Sequence, residues 1–177
     1  MRKLCKLIRR SKSEDGNASV EFALMSPLFF FLFISIFELG MATVRITMLE
    51  HGMDMTMRDI RLSTGSANIT QEKIRDRICE RAGLLKDCNN SLLVEMVVID
   101  RNTFSLPAVR ATCIDKSETA LPVTSVISGG DSDLMFLRAC FVVRPLLPTL
   151  GLGKLLKKDP AGNMQLVASS IFAQEPK

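Results

Sequence analysis

From Phe22 to Phe37 the chain runs sixteen residues without a charge, and five of those between Phe29 and Phe37 are phenylalanines. Apolar character resumes after Glu38 as Leu39, Gly40, Met41, Ala42 and Val44, before Arg45. At about 1.5 Å per residue, a helix over residues 22–44 reaches roughly 34 Å, enough to cross a hydrocarbon core of about 30 Å. One crossing is expected and no second. Leu92 to Ile99 is interrupted by Glu95, and Leu134 to Val143 by Arg138. The rest of a 177-residue chain has room for one compact domain.

Charge is distributed unevenly. Residues 1–16 hold six basic side chains (Arg2, Lys3, Lys6, Arg9, Arg10, Lys12) against Glu14 and Asp15, whereas the remaining residues hold 17 of each sign. The net charge of +4 therefore belongs to the N-terminus, where it reads as a topology signal and not as a phosphate-binding surface. Basic residues ahead of the span hold the N-terminus in the cytoplasm and place the C-terminal part across the membrane. No nucleic-acid partner is expected.

Two acids interrupt this picture. Glu38 is expected near the outer interface in reach of water, the sharper alternative being a pair with a basic group on a neighbouring helix. Glu21 precedes the apolar run directly, where an unpaired carboxylate against lipid is costly and a secretory signal needs none. Gly40, Met41 and Ala42 offer only a weak signal-peptidase site, and Cys5 lies on the wrong side of the apolar run for a lipoprotein. A plain anchor leaves Glu21 unexplained. Pro27 cannot donate to the carbonyl of Ala23, so a kink or loosened turn is expected unless neighbours absorb it.

The stretch Gly16-Asn17-Ala18-Ser19-Val20-Glu21-Phe22, followed by Ala-Leu-Met-Ser-Pro27 and the apolar helix, resembles the leader and helix of type IV pilin-like proteins. More closely it resembles the TadE-like pseudopilins of tight-adherence (Tad, Flp-type) pilus systems. Asp133-Leu-Met-Phe-Leu-Arg-Ala-Cys-Phe-Val-Val-Arg-Pro-Leu-Leu-Pro148 and Gln174-Glu-Pro176 add to that likeness. The resemblance implies cleavage by a prepilin peptidase between Gly16 and Asn17, in a single-pass protein of the bacterial inner membrane. Glu21 becomes the fifth residue of the mature chain, able to pair with the α-amino group of a neighbouring subunit and set register, with Phe22 and Pro27 completing the motif. Other pilins or pseudopilins, the assembly machinery and the membrane are the partners implied. Three segments result: a basic leader over 1–16, an assembly helix over 17–45 and an extracytoplasmic domain over 46–177.

Beyond the span, Met41, Val44, Met48, Met55 and Ile60 continue at helical spacing, and Asp54 with Arg58 forms an i,i+4 pair. The methionine stripe with Met53 and Met57 is expected to pack a core in preference to binding a soft metal. Ser63 to Ser66, around Gly65, supply a stop. A second helix starts with Asn68 or Thr70 as cap, lines one face with Ile74, Ile78 and Ala82, and ends at Gly83. Leu92–Ile99, Val109–Ile114, Leu134–Val143 and Gln165–Phe172 are strand candidates. The fold expected is α+β, a long N-terminal helix continuing into a pilin-like domain with an antiparallel sheet. Residues 146–158 read as a loop with a short basic amphipathic turn, either solvated or touching a membrane surface or partner. Their Gly-x-Gly-Lys lacks phosphate-loop spacing.

Cys79, Cys88, Cys113 and Cys140 form an even set on the oxidising side, with Cys5 left in the leader. Three connectivities are open. The simplest is sequential, Cys79 with Cys88 and Cys113 with Cys140. His51 is the sole histidine, so it builds neither a histidine metal site nor a catalytic dyad. No catalytic residue, metal, cofactor or small-molecule substrate is expected, and the chain reads as an assembly protein and not an enzyme. The competing reading is an uncleaved, membrane-anchored extracytoplasmic binding module with a ligand site in the sheet domain.

Overall fold

The computed structural model describes residues 17–62, 69–108, 110–118, 122, 124–149 and 151–176. Its elements in chain order are α1 (Asn17–Leu62), α2 (Gln71–Ala82), a 3-10 turn (Cys88–Asn90), β1 (Leu92–Ile99), β2 (Leu134–Val143), α3 (Gly151–Leu155) and β3 (Met164–Ala173). The strands form one antiparallel sheet in the order β1-β2-β3. This is the α+β architecture expected from the pattern of elements.

α1 has two halves with different surroundings. From Ala18 to Ile34 every side chain is exposed except the half-buried Ser26. From Ser35 onward one face is covered, and Leu49, Met53, Met57 and Ile60 enter the core. That face is rotated from the one the sequence suggests: Val44 and Met55 stay about 40 % exposed, at 41 % and 40 %, and Leu49 takes a place the methionine stripe did not mark. Periodicity located the helix but not which of two adjacent stripes meets the sheet. Asp54 and Arg58 remain exposed, and the ion pair formed instead joins Asp59 to Arg81 of α2.

α2 is capped as expected by Thr70, whose Oγ1 accepts the Lys73 N–H, and it buries Ile74, Ile78 and Ala82. Asn68 and the Gly65 stop lie outside the described residues. Gly52 sets how closely the two helices approach. A Cβ there would sit 2.7 Å from the Ile78 carbonyl oxygen and 3.1 Å from the Ala82 amide nitrogen, both backbone atoms that cannot swing aside. Gly52→Val is therefore expected to push α2 away and lower stability by about 1–3 kcal/mol, measured by chemical denaturation of the full chain in detergent. An unchanged midpoint would show that the helices are not in close contact at this point.

β2 is central and buried on both faces. Met135, Leu137, Ala139 and Phe141 face the helices, with Val94, Met96, Ala168 and Phe172 from the flanking strands. On the other face Leu93, Cys140 and Val142 form a second cluster with Ile114. That face is covered by the long β1–β2 connection. The expected strand at Val109–Ile114 does not form: Val109 lies outside the described residues, and 110–114 is irregular chain laid over the sheet. Its apolar side chains are buried by packing from above, which needs no ladder pairing. Cys113 is bonded to Cys140 and fastens this cover to β2, while Cys79 is bonded to Cys88 and ties the end of α2 to the 3-10 turn. Further along, Ser125 and Ile127 hydrogen-bond Met96 and shield the outer edge of β1.

The domain lies alongside α1. The run from Glu38 to Arg61 rises about 35 Å as helix, and ten residues of strand extend about 33 Å, so this part of α1 and β2 match in length. At one end Glu175, just beyond β3, pairs with Arg61, and Gln174 N–H donates to the Asp133 carbonyl. The segment leaving the other end of β2 reaches Glu38.

Candidate functional site

The sequence-marked assembly residues lie on the uncovered half of α1. Gly16 falls outside the described residues. Asn17 is the first helical residue, and its side chain is likewise not described. Glu21 is exposed on the first turns, Phe22 is 72 % exposed, and the assigned helix runs on through Pro27. Within one chain these residues are not brought onto a common contact; they present a free surface. Phe29 and Phe33, one turn apart, stack with ring centroids 6.4 Å apart, and Phe30 meets Phe29 edge-on at 5.8 Å.

The most apolar 18-residue window of this helix has a mean hydropathy of 2.1, and 6 % of it is buried. A core helix of equal hydropathy would be mostly covered, because apolar area left in water is unfavourable by roughly 25 cal/mol per Å². The helix is long and apolar enough to cross a membrane. Two of its hydroxyls are satisfied from within: Ser35 Oγ donates to the Phe31 carbonyl at 2.8 Å and Thr43 Oγ1 to the Leu39 carbonyl at 2.9 Å.

Glu38 departs from both sequence expectations. It is 3 % exposed, and its partners are backbone amides and not a basic side chain. Leu146 N–H donates to Oε1 at 2.8 Å and Leu147 N–H to Oε2 at 3.1 Å. One carboxylate thus receives two adjacent amides of the Arg144-Pro-Leu-Leu-Pro148 segment. Pro145 and Pro148, which have no N–H, bracket the two donors. The next turn closes on the same stretch of helix: a Cβ on Gly151, at φ 57°, would lie 2.6 Å from Ser35 Oγ, and Lys158 Nζ donates to the Pro148 and Gly153 carbonyls at 2.6 and 2.7 Å. Acid and double-proline segment are 108 residues apart, and nothing in their local patterns pairs them.

A second charged arrangement was also not evident from the sequence. Arg138 and Glu95 are direct cross-strand partners, with Arg138 Nε 3.1 Å and Nη2 2.5 Å from Glu95 Oε2. Arg138 Nη1 donates to the Ala108 carbonyl at 2.7 Å, so the pair also holds the β1–β2 connection. In the sequence each charge is only an interruption in an apolar run. Register is what joins them.

An open cleft of about 480 Å³ between α2 and the connection is lined by Glu72, Arg75, Asp115 and Lys116 among others. Its charges are mixed, so it selects neither anions nor cations. Nearby, hydrogen bonds from Asn90 and then Lys116 hold the Asp87 carboxyl below its ordinary range. Among the described residues no group of three His, Cys, Asp or Glu side chains is placed to hold a metal ion.

Residues 16–58 match the family model of the TadE-like proteins. The match begins at the glycine before α1 and ends inside the core-forming half of that helix. It leaves the sheet and the C-terminal motif unmatched. No curated protein and no solved structure gives a significant match to the chain.

Proposed function

We propose that the chain is a minor pseudopilin of a Tad-type pilus, cleaved by a prepilin peptidase between Gly16 and Asn17. It acts without catalysis, by packing its N-terminal helix against those of other pilins. The observation that carries this reading is the uncovered apolar half of α1 inside the family-matched segment, with Glu21 exposed at its start. In this reading residues 1–16 are a cytoplasmic leader, α1 crosses the bacterial inner membrane, and the sheet domain stands outside it, where Cys79–Cys88 and Cys113–Cys140 persist as disulfides. Glu21 pairs with the α-amino group of an adjacent subunit, offsetting the desolvation of both charges and fixing register. The sheet domain selects partners.

Intact-mass analysis of the protein from cells with and without the peptidase tests the cleavage. The expected result is loss of residues 1–16 only where the peptidase is present. An unchanged mass in both strains would favour the uncleaved anchor carrying a binding module. Glu21→Leu separates processing from register: it is expected to leave cleavage intact and abolish co-purification with partner pilins. Normal assembly of that variant would remove the register role.

A further inference from the structure

We propose that residues 146–149 and 151–157 form an interfacial lipid-binding element, docked in the outer leaflet of the membrane that α1 crosses and drawn to anionic headgroups. The inference rests on the spanning role of α1 and adds a second contact with the bilayer. A length comparison carries it. The stretch of α1 that no other part of the chain covers ends at Ile34. Counted from Phe22 it is about 20 Å long, and even from Ala18 only about 26 Å, against a hydrocarbon core of roughly 30 Å. Tilt shortens the thickness it spans further. A core starting at Phe22 runs to about Met41, so the contacts at Ser35 and Glu38 lie inside its outer boundary.

The element has the composition that such a position demands. Leu155 is 80 % exposed, Leu146 48 % and Leu156 36 %, three large apolar side chains left open in a segment that contains the short helix α3. Lys154 and Lys157 are exposed and form no ion pair among the described residues, whereas Lys158 is turned inward onto the Pro148 and Gly153 carbonyls. Apolar side chains beside uncompensated lysines are what an interfacial segment offers to acyl chains and anionic headgroups. The backbone is prepared for this depth, since Glu38 satisfies the Leu146 and Leu147 amides and is itself satisfied by them. Between helix and loop, Phe33, Ile34, Phe37, Glu38, Leu146 and Leu147 line a recess of about 250 Å³ that is apolar apart from the Glu38 carboxylate, which the Leu146 and Leu147 amides already engage.

The test uses full-length protein reconstituted into phosphatidylethanolamine vesicles with or without phosphatidylglycerol. An environment-sensitive fluorophore is attached at Leu155→Cys in a Cys5→Ser background. Phe30→Cys labels the uncovered helix, and Phe104→Cys labels the far end of the sheet, next to Ile99. Lipids carrying a nitroxide near the headgroup are expected to quench the label at 155, and more strongly when phosphatidylglycerol is present; lipids carrying it deep in the acyl chain quench the label at 30, which lies near the midplane of the core, and the label at 104 stays unquenched by either. Lys154→Gln with Lys157→Gln is expected to weaken the phosphatidylglycerol dependence, by roughly fivefold per lysine in the docking equilibrium. Quenching at 30 but not at 155 overturns the proposal while leaving the span intact. A label at 155 that is shielded from water yet unquenched overturns it in favour of a protein partner. Absence of quenching at 30 overturns the spanning role itself.

Discussion

Arg138→Ala is expected to destabilise the sheet domain by about 3–5 kcal/mol, the cost of leaving one member of a buried ion pair without its partner. The Arg138 side chain is 7 % exposed and that of Glu95 19 %, so water does little to replace the lost guanidinium. Two further contacts disappear with it. The Ala108 carbonyl loses its donor, and the guanidinium no longer lies over the Phe136 ring, 5.5 Å from its centroid. Arg138→Lys is expected to recover part of the charge but not the forked geometry that reaches Glu95 and Ala108 together. Replacing both members by apolar residues, Arg138→Met with Glu95→Leu, is expected to be far milder than Arg138→Ala alone, because no orphaned carboxylate remains. Urea denaturation of the full chain in detergent, followed by circular dichroism, measures all three; the chain has no Trp or Tyr to report by fluorescence. A loss under about 1 kcal/mol for Arg138→Ala would mean that Glu95 is solvated in solution.

Glu38→Leu is expected to release the segment after β2 from the helix. A fully buried amide left without an acceptor costs about 1–3 kcal/mol, and these two are partly buried, so the undocked loop is favoured by up to about 6 kcal/mol relative to the wild type. The effect is local. Hydrogen exchange at Leu146 and Leu147 is expected to accelerate by at least about tenfold while the β2 amides keep their protection. Glu38→Gln retains one carbonyl acceptor and is expected to fall between the two. Unchanged exchange at both leucines would show that the carboxylate does not hold the loop.

The environments of Glu38 and Arg138 are set by contacts distant in sequence. Glu38 is legible in the sequence as an acid in an apolar helix, for which water or a cation is the expected partner. Its actual partners are main-chain groups, which carry no sequence signature, supplied from 108 residues away. Arg138 and Glu95 were each visible as charges inside apolar strands, but only the β1–β2 register makes them neighbours. The same limit explains why 110–114 resembles a strand in sequence and is irregular chain in the fold. Burial by a covering connection and burial within a ladder leave similar apolar patterns, and only the bond from Cys113 to a strand already occupied on both edges tells them apart.

What depends on local chemistry was present in the sequence. The length and hydropathy of α1, the Thr70 cap, the three apolar positions of α2, the three strands that form and the α+β order all follow from propensity and periodicity. Tertiary structure decided which face of α1 meets the sheet, how Gly52 lets α2 approach it, and that one face of α1 is covered from Ser35 onward. That last point is a matter of distance. A sequence shows where apolar residues lie along a helix, but only the packed chain shows how many of them remain uncovered, and so how deeply the loop held by Glu38 must sit beside them.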